Sequence, residues 1–173
     1  MRASLRANIE LATQVVIAIA IVIAAGVLVK RTAFSNPGAG VRQPAITAGD
    51  RVTVPTIDWA QNKKSLVFFL KKDCPYCTSS ATFYRRLMDE ASKRNVKCIA
   101  VLPNSPEDAR KYLQYLELPF ENIYTGPVED YKISGTPTIV FVDQNGIARS
   151  VWIGAQSERE KEMRDTLVQL FES

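Results

Sequence analysis

The stretch LVFFLKKDCPYC, residues 66–77, decides the fold. It opens with an unbroken apolar run, residues 66–70, as expected for a strand that is buried on both faces. Two cysteines follow with Pro75 between them, and proline is favourable at the first position of a helix. The stretch therefore predicts a buried strand that passes through a short turn into a helix whose N-cap is Cys74.

The start of this helix gives Cys74 its expected chemistry. A sulfur at the N-cap is exposed and faces unpaired backbone N–H groups and the positive end of the helix dipole, which favour the nucleophilic thiolate. Cys77 follows three residues later, on the same side of the helix and within reach of a disulfide. We expect Cys74 to attack a client disulfide and Cys77 to resolve the mixed disulfide that results.

The remaining strands follow from short apolar runs and turn residues. The sequence predicts strands at residues 98–102, 138–142 and 147–153, and a short strand or hairpin arm, broken by Pro55, at residues 53–59. A helical crossover between the first two strands implies parallel pairing. The Asn145-Gly146 turn implies antiparallel pairing of the last two. The fold class is α/β, with a mixed central sheet and helices on its faces.

Three helices accompany these strands. The first should run over residues 75–94, with apolar positions at helical spacing. Ser105 as N-cap and Pro106 as first residue open the second. Ser157 and Glu160 form a capping box for the last.

Composition excludes several classes of function. The 173 residues carry a net charge of +4 and include no histidine, which removes His-dependent triads and the commonest metal ligand. No basic stripe interleaved with aromatics suggests nucleic-acid binding. Only one cysteine, Cys98, lies outside the close pair, so a zinc site lacks ligands and we expect no metal. Cys98 stands in an apolar strand and should be a buried, inert thiol.

An uncharged apolar run at residues 11–29 is long enough to approach the thickness of a membrane core, about 30 Å. We expect a single-pass anchor here, with residues 1–10 as an N-terminal tail, residues 30–50 as a flexible tether and residues 51–173 as the globular domain. A cleaved signal peptide and a buried core helix are the alternatives. The flanking positive charges do not decide the orientation.

Several of these pieces together resemble the thioredoxin fold, and specifically the membrane-anchored TlpA-type thiol–disulfide oxidoreductases of bacteria. They are the apolar strand before CPYC, the segment GTPT at residues 135–138, and the hairpin sequence FVDQNG at residues 141–146. The resemblance covers residues 50–173. Two positions depart from the thioredoxin pattern: Asp73 stands where a tryptophan is usual, and Phe68 stands where a buried acid is usual.

The resemblance implies a thioredoxin-like three-layer sandwich in which the Thr136–Pro137 bond is cis and Pro137 packs against the cysteines. Pro75, Tyr76, Thr136 and Pro137 would contact the substrate, and the backbone groups of Thr136 would pair with an extended client strand. The only redox group would be the Cys74–Cys77 disulfide, with no added cofactor. The N-terminus would be cytoplasmic, and the domain would face the periplasm from the bacterial inner membrane.

The expected partners are a disulfide-containing protein client and a membrane thiol donor. The leading function is reduction of protein disulfides outside the cytoplasm, with cytochrome c maturation as one process it could serve. A disulfide oxidase or isomerase would use the same residues, and a client-binding module without turnover is the third alternative. A peroxidase is disfavoured because the Thr-x-x-Cys pattern is missing.

Overall fold

The computed structural model describes residues 45–155 and 160–172. Its centre is a five-stranded mixed sheet with the spatial order β3-β2-β1-β4-β5. The strands are β1 (Lys64–Phe69), β2 (Lys97–Leu102), β3 (Asn122–Thr125), β4 (Thr138–Asp143) and β5 (Ala148–Ile153). β1 pairs parallel with β2 and antiparallel with β4, and β4 pairs antiparallel with β5. The predicted parallel and antiparallel pairings are therefore confirmed.

The helices are α1 (Trp59–Asn62), α2 (Pro75–Ser79), α3 (Ala81–Ser92), α4 (Pro106–Tyr115) and α5 (Glu160–Glu172), with a 3₁₀ turn at Val128–Tyr131. The single helix expected over residues 75–94 is thus two helices, interrupted at Ser80. The ψ angle of Ser80 is 2°, and its N–H bonds to the Thr78 carbonyl rather than one turn back. Two adjacent serines weaken the helix here because their hydroxyls compete for backbone partners.

Two strand assignments need correction. Residues 53–59 form no strand: Arg51 makes an isolated bridge to Ile147, and α1 begins at Trp59 behind the N-cap Asp58. Pro55 contributes to this because it has no N–H for a sheet ladder. Conversely, the sequence did not predict β3, which pairs parallel with β2. It is a four-residue edge strand, partly exposed throughout its apolar positions, and so lacks a periodic signal.

The two faces of the sheet bury different partners. Leu66, Phe68 and Leu70 point into a cluster that also holds the buried faces of α2 to α5. Val67 and Phe69 point into the other cluster, which is covered by residues 46–57, α1 and the 3₁₀ turn. The layers are therefore unequal, with the longer helices all on one face. Right-handed crossovers from β1 to β2 and from β2 to β3 run in the same direction, so they place their helices on the same side.

The folded domain starts earlier than the sequence predicted. Ile46, assigned to the tether, is buried against the second face, and its N–H donates to the Lys132 carbonyl at 2.9 Å. Residues 46–50 thus belong to the domain rather than to the tether. The expected anchor at residues 11–29 and the Ser157 cap lie outside the described residues. Within residues 45–155 and 160–172, no helix has the length and apolar character of a membrane span.

Candidate functional site: the Cys74–Cys77 pair

The pair lies where α2 begins, beyond the carboxyl end of β1. Cys74 is the N-cap of α2 in an extended conformation, and Pro75 is the first helical residue, as the sequence predicted. The Cys77 N–H donates to the Cys74 sulfur at 3.3 Å. The Cys74 N–H donates back to the Lys71 carbonyl at 3.2 Å, which closes the turn. Both cysteines are free thiols, so the structure describes the dithiol state.

The segment before β4 lies against this turn. The Thr136–Pro137 bond is cis, as the family resemblance implied. The Cys74 thiol donates to the Thr136 carbonyl, with 3.1 Å between sulfur and oxygen. Pro137 is buried, and its carbonyl accepts the Gly154 N–H at 2.7 Å. The sequence prediction left the Thr136 carbonyl free for a client strand, but in the dithiol state this carbonyl is already bound to Cys74.

Exposure differs sharply among the four residues of the CPYC turn. Cys74 is only 8% exposed and Cys77 is fully buried, so the expectation of an exposed Cys74 is wrong. The side chain of Tyr76 is 64% exposed, and Pro75 is also exposed. Tyr76 and Pro75 therefore form the outer surface of the turn, and both cysteines are buried beside them.

The two thiols have opposite acid–base character. Burial disfavours ionisation of Cys74, but hydrogen bonds from Cys77, Thr136 and the Tyr76 backbone outweigh burial and lower the pKa of Cys74. For Cys77, burial first and then its hydrogen bond to Cys74 raise the pKa to about 12. The Thr136 side chain favours the ionised sulfur, whereas the Thr136 carbonyl accepts from the neutral thiol. Cys74 is thus the thiol that ionises more readily, and Cys77 stays protonated near neutral pH.

The sequence over residues 39–151 matches the model of the AhpC/TSA family, about two thirds of the chain. The chain belongs to the AhpC/TSA family. No curated protein matches the sequence. The expectation of a thioredoxin fold is confirmed.

Solved structures share the fold of this AhpC/TSA-family chain at low identity. A proposed thiol:disulfide interchange protein DsbE from Chlorobium tepidum is 17% identical, with a TM-score of 0.59 over 73% of this chain and 99% of that one. The thioredoxin domain of a thiol-disulfide oxidoreductase from Bacteroides vulgatus is 21% identical, with a TM-score of 0.56 over 75% and 94%. Peroxidoxin BcpB from Mycobacterium tuberculosis is 14% identical, with a TM-score of 0.54 over 72% and 97%. Since oxidoreductases and a peroxidoxin share this fold, the fold alone does not determine the reaction.

Two polar side chains at the start of α4 contact the cysteine turn of this AhpC/TSA-family domain, one through a hydrogen bond and one through an ion pair. The Lys72 N–H donates to the Asn104 side-chain oxygen at 3.3 Å, and the Lys72 ammonium pairs with Asp108 at 3.1 Å. The Lys72 ammonium is therefore engaged with Asp108, a residue that the sequence alone does not connect with the site.

The sequence also did not predict that hydroxyl groups lie near the cysteine pair. The Tyr112 and Thr78 hydroxyls are hydrogen-bonded, with 3.1 Å between their oxygens. Thr78 directly follows Cys77 in the chain. Tyr84 is buried in the same cluster as both cysteines. Both tyrosines lie on the buried faces of their helices, and only the choice of tyrosine over phenylalanine gave a hint. Among the described residues, no group of three or more acidic or cysteine side chains could hold a metal ion.

Proposed function

We propose that this chain is a thiol–disulfide oxidoreductase that reduces protein disulfides outside the cytoplasm through Cys74 and Cys77. One observation carries the proposal: Cys74 caps α2 and its sulfur accepts the Cys77 N–H, which lowers the pKa of Cys74, while the Cys77 thiol three residues later is fully buried and has a raised pKa. This asymmetry suits sequential exchange, because one thiol attacks first while the other stays protonated until a mixed disulfide has formed.

The reaction takes two steps. The Cys74 thiolate attacks one sulfur of the client disulfide, the client S–S bond breaks, and the departing client sulfur takes up a proton. Cys77 then loses its proton and attacks Cys74, which breaks the bond to the client and forms the Cys74–Cys77 disulfide. The second client sulfur takes up the remaining proton. Two electrons pass from the enzyme to the client, so a thiol donor must reduce the enzyme again, and we propose a membrane protein for this role.

The reducing direction is supported by the burial that opposes the Cys74 thiolate. Strong oxidants of this chemistry owe their potential to a very stable thiolate in the reduced form. At Cys74 the largest influence, burial, works against the thiolate. The ammonium of Lys72 is paired with Asp108. We therefore expect a reduction potential nearer to that of thioredoxin, about −270 mV, than to that of DsbA, about −120 mV.

The substrate would dock on the surface beside Cys74. Tyr76 and Pro75 are exposed there, and Thr136 and Pro137 form the adjoining wall. We propose that a client strand displaces the Cys74 thiol from the Thr136 carbonyl and then pairs with that backbone, a form of strand addition. Cytochrome c maturation suits this chemistry, because a C-x-x-C-H haem attachment site must present reduced thiols.

Trapping with Cys77→Ser tests the proposal most directly. The variant should stop at the mixed disulfide and hold the client on Cys74, where mass spectrometry can identify it. Redox titration against glutathione gives the potential, and an insulin reduction assay shows turnover. A reduction potential near that of DsbA would favour the oxidase alternative. Absence of turnover would favour a binding module. Consumption of peroxide without disulfide exchange would favour a peroxidase.

The location is proposed from the apolar run at residues 11–29. The full chain should fractionate with the inner membrane, and protease added to spheroplasts should digest the domain. A chain that is protected from protease would place the cysteines on the cytoplasmic side and contradict this part of the proposal. A soluble, shortened chain would indicate the cleaved signal peptide instead.

A further inference from the structure

The hydroxyl of Tyr84 is a buried polar group without a partner. Tyr84 is 1% exposed, and its ring packs edge-on against Phe68 with 5.6 Å between centroids. Within the described part of the chain, its oxygen makes no hydrogen bond of acceptable geometry, although Ser80 lies near enough to moderate its pKa. Burying an unpaired hydroxyl is unfavourable, and phenylalanine would fill the same space, so this oxygen calls for an explanation.

Helix geometry carries this hydroxyl toward the cysteine pair. Side chains of a helix lean toward its N-terminus, and Tyr84 lies one turn after Ser80, where α3 begins. Cys77 lies in the preceding helix and belongs to the same buried cluster as Tyr84. Burial is the largest influence that raises the pKa of Tyr84, and charges on Cys77 and Cys74 raise this pKa further. The phenol therefore keeps its proton and can act as a hydrogen-bond donor beside the pair.

Cys77 needs such a donor during exchange. It is fully buried, and with a pKa of about 12 only about one molecule in 10⁵ carries a thiolate there at pH 7. Once Cys74 is bound to a client, its sulfur no longer carries charge, but the burial of Cys77 remains. The sheet residues that share its cluster, Phe68 and Leu70 among them, are apolar. The neighbouring Tyr112 hydroxyl is already bound to Thr78.

We propose that Tyr84 is a positioning residue that donates a hydrogen bond to the Cys77 sulfur as this thiol loses its proton in the resolving step. The inference rests on the proposed exchange function. The Cys77 proton passes to the departing sulfur, the Cys77–Cys74 bond forms as the bond from Cys74 to the departing sulfur breaks, and Tyr84 keeps its own proton throughout. In the dithiol state the two groups are not hydrogen-bonded, so the contact forms as negative charge develops on Cys77.

The test uses the full chain with Cys98→Ala, so that only the pair reacts, and the small disulfide 5,5′-dithiobis(2-nitrobenzoate). Attack by Cys74 releases the first thionitrobenzoate, and attack by Cys77 releases the second. Tyr84→Phe keeps the ring against Phe68 and removes only the hydroxyl. The first release should keep its rate, and the second should slow about tenfold at neutral pH, the effect of losing one hydrogen bond to a charged group. This deficit should narrow at high pH, once Cys77 in the native site is already ionised.

Tyr112→Phe is the matched control, because it removes a hydroxyl that already has a partner. It should change the second release by less than about twofold. Tyr84→Phe should also be at least as resistant to heat, since an unpaired buried hydroxyl is lost. An unchanged second release in Tyr84→Phe, or an equal slowing at every pH in both variants, would overturn the inference. Failure of the first release in the native site would reject the exchange function itself, and the inference with it.

Discussion

Cys74 and Cys98 have the same side chain but lie at opposite ends of one sheet. Cys74 follows the carboxyl end of β1 and caps a helix, whereas Cys98 lies near the start of β2, level with Leu66 of β1. Cys74 accepts a backbone hydrogen bond, and its pKa is lowered. Burial raises the pKa of Cys98 to about 12. As a whole residue Cys74 is buried and Cys98 is half-buried, but burial weighs more heavily on the Cys98 thiol than on the Cys74 thiol.

The comparison teaches that exposure alone does not select the reactive thiol. Cys98 is half-exposed as a residue, but burial raises the pKa of its thiol, and among the described residues no helix N-terminus or charged group offsets this. Cys74 lies at the N-terminus of α2, where hydrogen bonds from Cys77, the Thr136 side chain and the Tyr76 backbone favour its thiolate. What distinguishes the two ends of the sheet is the backbone geometry. The helices that follow parallel strands all begin at the same edge of the sheet.

Replacement of the reactive thiol should have the largest effect. Cys74→Ser should abolish disulfide reduction, because a hydroxyl at this position does not ionise near neutral pH. Cys98→Ala, treated in the same way, should retain activity. Insulin turbidity measures both. Residual activity in Cys74→Ser above that of buffer would show that another thiol can start the reaction.

The rate of alkylation sharpens the comparison. At pH 7 a pKa below 9 gives Cys74 at least about 10³ times the thiolate fraction of Cys98. The intrinsic nucleophilicity of a thiolate falls with its pKa, which reduces the advantage of Cys74 about 20-fold. The expected ratio of the two alkylation rates is therefore about 50-fold. Iodoacetamide with peptide mapping of the reduced protein should therefore label Cys74 first. Faster labelling of Cys98 or Cys77 would mean that access, not ionisation, controls reactivity.

The wall beside Cys74 can be altered without touching a sulfur. Pro137→Ala adds an N–H and a freer backbone where the Thr136 carbonyl contacts Cys74. Reduction of a protein client should slow about tenfold, while a small disulfide probe is affected less and the melting temperature falls by only a few degrees. Pro119→Ala, at an exposed proline away from the pair, is the control. Equal slowing with both substrates would argue against a docking role for this wall.

Much of the active edge could be predicted because its signals are local. The N-cap role of Cys74 follows from Pro75 next to it, and the buried strand β1 follows from an uninterrupted apolar run. The cis Thr136–Pro137 bond required the family resemblance, since proline alone only permits it. The turn at Gly146 was also readable: its φ is +75°, and a side chain there would meet the Trp59 ring at 2.7 Å.

What the sequence did not predict depends on contacts between distant segments. β3 is stabilised by pairing with β2 rather than by its own short, partly exposed sequence. The break at Ser80 reflects competition within one turn, which helical periodicity does not register. The Lys72–Asp108 pair joins residues far apart in the chain, and the Tyr84 hydroxyl is buried because its ring packs against Phe68 of β1. Residues of this kind acquire a function only once the fold brings them beside the cysteines.

The smallest expected effect concerns Cys98 itself. Cys98→Ala should leave disulfide exchange within about twofold and cost about 1 kcal/mol of stability at pH 7, a typical value for a partly buried position. The pH dependence gives a second, signed test. In the reduced unfolded chain this thiol loses its proton near pH 9, whereas the folded one keeps it until about pH 12. Between these values the native state binds more protons, so the thiol makes stability fall as pH rises.

Removing Cys98 removes that contribution. Urea unfolding of the reduced protein between pH 8.5 and pH 10.5 should therefore show a shallower decline for Cys98→Ala than for the native chain. The difference should be at most about 1 kcal/mol per pH unit, reduced by the partial exposure of the residue. Cys98→Ser serves as the control for volume, because it also lacks a group that ionises in this range. Parallel curves for all three proteins would mean that Cys98 ionises as freely in the fold as in the open chain. The contrast with Cys74 would then rest on the helix N-terminus alone.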